Sequence, residues 1–197
     1  RSSAALLANG VEMLAAGIVA GVVYVLANGT LSGFGGKLGT TAFVGTVFTG
    51  LGLGRIFAPA PMPAPPLALH IILTCIAAAL LTYWLSRPLK HGPVIGSSVV
   101  GLVGGLLLPT LAPEAGPLLA VAAFCASFTG MSGAARLPAP PWMTVAGLIT
   151  GIVFVLSLPV LGGAGGKLGT IAMGAATATW ALRLAVKGET AARPGID

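Results

Sequence analysis

The chain has 197 residues, 56% of them hydrophobic and only 7% charged, with a mean hydropathy of +1.00. Ten Lys and Arg and four Asp and Glu cannot coat a soluble globule, in which about a quarter of residues are charged. The same balance excludes a disordered chain, and 30 glycines and 15 prolines without a three-residue period exclude collagen. An integral membrane protein remains. The net charge of +6 is no nucleic-acid signal, because the basic residues sit singly between apolar runs, where the positive-inside rule places them.

In chain order, the apolar runs predict spans at Ala4–Leu26, Thr40–Phe57, Leu67–Leu85, Pro93–Leu111, Pro117–Met131, Trp142–Val160 and Leu168–Val186. At about 20 residues per crossing, the expected fold class is an all-α integral membrane protein, a single bundle of about seven (six to seven) transmembrane helices. The runs argue against a β-barrel, whose strands alternate apolar and polar residues, because they are continuously apolar. The first run carries no cleavage site and is long enough to stay as a span. The run at 117–131 is short: tilted, half-inserted, or extended back towards Leu111. The connectors 58–66 and 137–141 are Pro-rich and read as stiff links ending in a helix-starting proline. Counting basic residues by side sets Lys37, Arg87, Lys90, Arg136, Arg183, Lys187 and Arg193 against Arg1, Arg55 and Lys167. The expectation is a bacterial plasma (inner) membrane protein with its C-terminus in the cytoplasm.

Repetition is the most informative feature. Residues 31–42 recur at 161–172, identical at nine of twelve positions, with Gly-Gly-Lys-Leu-Gly-Thr intact. A weaker echo at an offset of 80 relates Phe48-Thr49-Gly50 to Phe128-Thr129-Gly130. It suggests a three-helix unit over 1–86, a second one inverted in the membrane over 92–160, and an additional C-terminal span over 161–187. The Lys37 and Lys167 turns then fall on opposite sides of the bilayer. Inverted repeats are a transporter and channel arrangement, with sites at the repeat interface.

Glycine-rich backbone beside an apolar span must be buried in protein or line a wet cavity. Gly35, Gly36, Lys37, Gly39 and Thr40, with Gly165, Gly166, Lys167, Gly169 and Thr170, offer N–H groups, a positive helix end and an ammonium, which suit an anion. A plain helical hairpin is the competing reading, with Lys snorkelling and Thr capping. This is not a phosphate-binding P-loop, because Leu follows the Lys. Phe48, Thr49, Phe128 and Thr129 suit a path with hydroxyl ligands and an apolar constriction, or ordinary helix packing. Glu12, early in the first span, is the one carboxylate placed to lie inside the bilayer, where it would be a functional candidate, or else at the interface, depending on where the helix starts.

No cofactor, metal site or enzymatic triad is indicated. His70 and His91 have no Cys, Asp or Glu at ligand spacing, and Cys75 and Cys125 lie inside apolar runs, where small buried side chains are expected. Gly17–Gly21, Gly101–Gly105 and Gly147–Gly151 are spaced for close helix contact, within a bundle or between copies as a homo-oligomer. The expected partners are the lipid bilayer and a small solute or ion, with no nucleic acid. The leading functional expectation is a channel or transporter for a small polar or anionic solute. The alternative is an accessory subunit of a larger membrane complex.

Overall fold

The structure, a computed structural model, describes residues 7, 9–27, 29–57, 59–88, 90 and 92–188. Arg1, Arg193, His91 and the first residues of the expected span Ala4–Leu26 lie outside them. The described residues form seven helices and no strand: α1 Gly10–Leu26, α2 Lys37–Gly52, α3 Pro65–Ser86, α4 Pro93–Leu111, α5 Gly116–Gly130, α6 Pro140–Ser157 and α7 Lys167–Lys187. Each expected span contains a helix among the described residues. Three helices, α3, α4 and α6, are long and apolar enough to cross a membrane, and α1 and α5 are shorter apolar helices. The Gly- and Thr-rich α2 is only 16 residues long, and α7 carries Lys167, Arg183 and Lys187. What the structure establishes is therefore an all-helical chain with three membrane-competent helices.

The helix boundaries follow local chemistry. Asn9 caps α1 by accepting from the Glu12 N–H at 3.0 Å, which fixes the start of this helix at Gly10. Proline occupies the first or second position of α3, α4, α5 and α6, where its missing N–H costs nothing. Helix α5 begins at Gly116 and does not reach back to Leu111.

Helix α3 is the hub, packed against α4, α5 and α6. Its inner face of Ile71, Cys75, Ala78 and Ala79 is fully or almost fully buried. Small residues let the main chains approach. A Cβ on Gly147 would stand 2.8 Å from Ile76 Cα, and one on Gly151 2.7 Å from Ile72 Cα. Hydroxyl pairs stitch the interior: Thr129 to Thr150 and Ser97 to Ser127, each at 2.8 Å. These four buried hydroxyls are thereby satisfied inside an apolar body. Helices α1 and α2 form a separate hairpin, joined at Gly45 against Ala16, and α2 meets the rest of the bundle through α7.

Arg87, at the end of α3, secures the loop between α5 and α6. Its Nη1 donates to the Leu137 carbonyl at 2.6 Å and its Nη2 to the Ser132 carbonyl, while the guanidinium lies 4.6 Å from the Tyr83 ring centroid. Burial lowers the Arg87 pKa from its ordinary value, and the neighbouring Tyr83 hydroxyl works in the opposite direction. Charged hydrogen bonds of this kind are worth about 1.5–3 kcal/mol each. Arg87→Ala should lower the thermal unfolding midpoint of the detergent-solubilised protein by several degrees. Arg87→Lys, which cannot form the fork, should recover only part of the loss.

Candidate functional site: two crossed helix starts

The repeated sequence takes a repeated backbone conformation and a repeated set of hydrogen bonds. Leu31 and Leu161 both take left-handed backbone, at φ 56° and 50°, as do Gly33 and Gly163 at 82° and 85°. Gly36 and Gly166, at 88° and 81°, precede α2 and α7 in the same left-handed region, which lets each helix begin at the Lys instead of at the Thr. Phe34 and Ala164 donate their N–H groups to the carbonyls of Leu31 and Leu161 at 3.4 and 3.3 Å. The likeness extends back along the preceding helices: Met13, Ala16, Gly17, Gly21, Val23, Val25 and Leu26 recur 130 residues later. The duplicated unit is thus a helix, a turn and a helix: α1–α2 and α6–α7.

The lysines have a definite task in these turns. Lys37 Nζ donates to the carbonyls of Ala27 at 3.0 Å and Thr30 at 2.7 Å. Lys167 Nζ donates to Ser157 and Val160, both at 2.5 Å. These acceptors are again 130 residues apart. Each ammonium is turned back onto the carbonyl end of the preceding helix, where a cation complements the unsatisfied groups and the negative dipole end.

The two copies, expected on opposite faces of a bilayer, touch. A Cβ on Gly36 would lie 2.2 Å from the Gly169 carbonyl oxygen and 3.1 Å from Met173 N. One on Gly166 would lie 2.1 Å from the Gly39 oxygen and 2.5 Å from Phe43 N. The contacts are reciprocal, since Gly39 and Gly169, and Phe43 and Met173, correspond at the same offset. At the centre, Cβ atoms on Gly39 and Gly169 would stand 2.7 and 2.6 Å from the opposite Cα. No side chain fits between the main chains.

Two helix N-termini therefore meet, and neither has a side-chain cap. Each carries about half a positive charge on its open N–H groups. Glu12 is engaged elsewhere, with its Oε1 2.5 Å from Arg55 Nη2. Each turn opens onto a cavity. One, of about 310 Å³, is lined by Gly35, Gly36, Lys37, Phe128 and Met131; the other, of about 500 Å³, by Ala60, Ser157, Gly165, Gly166 and Lys167.

Of the sequence candidates, the two Gly-Gly-Lys-Leu-Gly-Thr segments come together, with Phe128 at the rim of the first. Thr129 is buried and bonded to Thr150. Phe48 is exposed on α2, and Glu12 sits in the first turn of α1. Sequence reasoning passed over the clasp on the first turn. Gly35 N–H donates to Ser132 Oγ at 3.1 Å, and Gly133 N–H to the Gly33 carbonyl at 2.7 Å. Arg136 lies 4.7 Å from the ring centroids of both Phe34 and Trp180, and its Nε donates to Ser32 O at 3.1 Å. The only sequence hint was an arginine at a position the charge count already used. Among the described residues, no three His, Cys, Asp or Glu side chains gather at a metal-binding spacing. His70 Nδ1 is 2.7 Å from the Pro66 carbonyl oxygen.

No protein-family model matches this chain, and no curated protein or solved structure is detectably similar to it.

Because the lysine contacts are duplicated, Lys37→Met and Lys167→Met should destabilise the fold by similar amounts. The expected loss is about 1–3 kcal/mol for each set of orphaned carbonyls, read as equal shifts in denaturant midpoint. A loss confined to one variant would show that the two turns are not equivalent.

Proposed function

We propose that this chain is a membrane channel or carrier for a small polar or anionic solute, which it meets where α2 and α7 begin. One observation carries the reading: two uncapped helix starts held in reciprocal contact beside two cavities. Converging positive helix ends suit a negative or hydrogen-bond-accepting group, and irregular backbone at such a point is tolerated in a membrane only beside protein or a wet cavity. The lysines add positive charge but act mainly by fixing the turns. The contact between the two turns fits hairpins that enter the bilayer part-way from opposite faces, so that the two starts meet near the midplane, as in inverted-repeat transporters. Carboxylates are too few for a proton- or sodium-driven path, which favours passive conduction or a carrier working through backbone groups. The setting that fits is a bacterial inner membrane with a cytoplasmic C-terminus.

The second reading, an accessory subunit, draws on the uncovered apolar surface of α1 and α4. Flux assays separate the two. Purified protein in proteoliposomes should pass one class among small anions, cations and neutral solutes. Gly169→Ala should cut that flux by about tenfold or more, as expected for ~1.4 kcal/mol lost at the crossing, and circular dichroism should confirm that it folds. Lys37→Ala should reduce it less. Absence of flux for every solute, from folded protein, overturns the transport reading in favour of the accessory subunit.

A further inference from the structure

The duplicated hairpins differ in what covers them. On α6, Met143, Gly147, Gly151 and Phe154 form a groove filled by α3, whose Ile72 and Ile76 main chain rests on the glycines. Met143 is 0% exposed and Phe154 2%. The corresponding groove on α1 is Met13, Gly17, Gly21 and Tyr24. Here Met13 is 42% exposed and Tyr24 44%, and a Cβ on Gly17 or Gly21 would meet nothing within 4 Å. Helix α1 uses its other side, Ala16 and Ala20, against Gly45 of α2. The open face is apolar and uncharged from Met13 to Leu26, and Glu12 is turned to Arg55.

The residues on this face indicate what closes it. The helix that fills the α6 groove meets it at two branched residues four apart, Ile72 and Ile76, through both Cα atoms and the Ile72 side chain. Helix α1 presents the same pattern, Ile18 and Val22, each next to a groove glycine and each exposed. Leu14 and Val25 continue the ridge one turn to either side and are exposed too. One helix thus carries both halves of a contact that this chain already makes internally: the glycine groove of α6 and the branched ridge of α3. A surface bearing both is self-complementary, the requirement for a two-fold contact between identical subunits. Stiff branched side chains lose little rotamer freedom on docking, and small residues at four-residue spacing let helices approach in lipid, where packing drives association.

We propose that α1 pairs with α1 of a second copy of this chain across Gly17 and Gly21, each copy setting Ile18 and Val22 into the other's groove. The proposal does not depend on the transport reading.

The full chain is reconstituted in lipid bilayers, and its oligomeric state is followed by single-molecule photobleaching as the protein-to-lipid ratio falls. The wild type should be a dimer. Gly17→Leu with Gly21→Leu should weaken it by roughly tenfold or more, with helix content and unfolding midpoint unchanged, since both sites are open in the single chain. The matched substitution Gly147→Leu should instead unfold the protein, because α3 occupies that groove. A photocrosslinker at position 18 should capture position 18 or its neighbours in a second copy. A wild-type monomer, a dimer indifferent to the glycine substitutions, or capture of a different polypeptide each overturns the proposal.

Discussion

The architecture depends on main chain lying on main chain where α2 and α7 cross at Gly39 and Gly169. With the clasp of Ser132, Gly133 and Arg136 on the first turn, that contact joins the α1–α2 hairpin to the larger body built around α3. It has an electrostatic cost, because two positive helix ends are brought together. Close packing of glycine backbone supplies compensating dispersion contact, and the missing Cβ atoms make it reachable. A single methyl at either glycine would force the helices apart, so the electrostatics of the site and its connectivity cannot be separated.

The lysines show how such an arrangement is held in an apolar chain. Each turn must end one helix and begin another within about ten residues, leaving carbonyls at the end of the first without intrahelical partners. In a poorly hydrated setting those carbonyls need donors, and an ammonium on a flexible stem reaches two of them. Lys167 is thus explained without charge topology. Its side chain closes the end of α6, as Lys37 closes the end of α1. The ammonium strengthens the positive character of the region while remaining bound to the protein.

Much of this was legible in the sequence, but unevenly. The helices could be read because long apolar runs bounded by proline and glycine leave few alternatives; Pro65, Pro93 and Pro140 mark helix starts within two residues of expectation. The recurrence of Gly-Gly-Lys-Leu-Gly-Thr pointed to the right segments. Its partner contacts were hidden, because spacing along the chain does not report which helices meet. The extent of the duplication was obscured as well. The preceding helices match mostly in small and aliphatic residues, ordinary in any apolar run, and the offset-80 echo at Phe48 and Phe128 drew attention to helix ends with different surroundings. Membrane competence is plain for α3, α4 and α6 alone, since an apolar average hides the polar content of α2 and α7. The ammonium targets follow from turn geometry, with Leu31 and Leu161 in left-handed backbone, and nothing in the leucine side chain announces that.

The aromatic clasp over the first turn gives the molecule an intrinsic optical handle. Trp180 stands edge-on to Phe34, with ring centroids 5.6 Å apart, and faces the Arg136 guanidinium. The chain has two other tryptophans, Trp84 in α3 and Trp142 in α6. An indole held against a cation is sensitive in emission to any change in that distance. Sliding of α7 relative to the turn before α2 would therefore register in Trp180 fluorescence, so rearrangement at the crossing can be followed in an unlabelled protein.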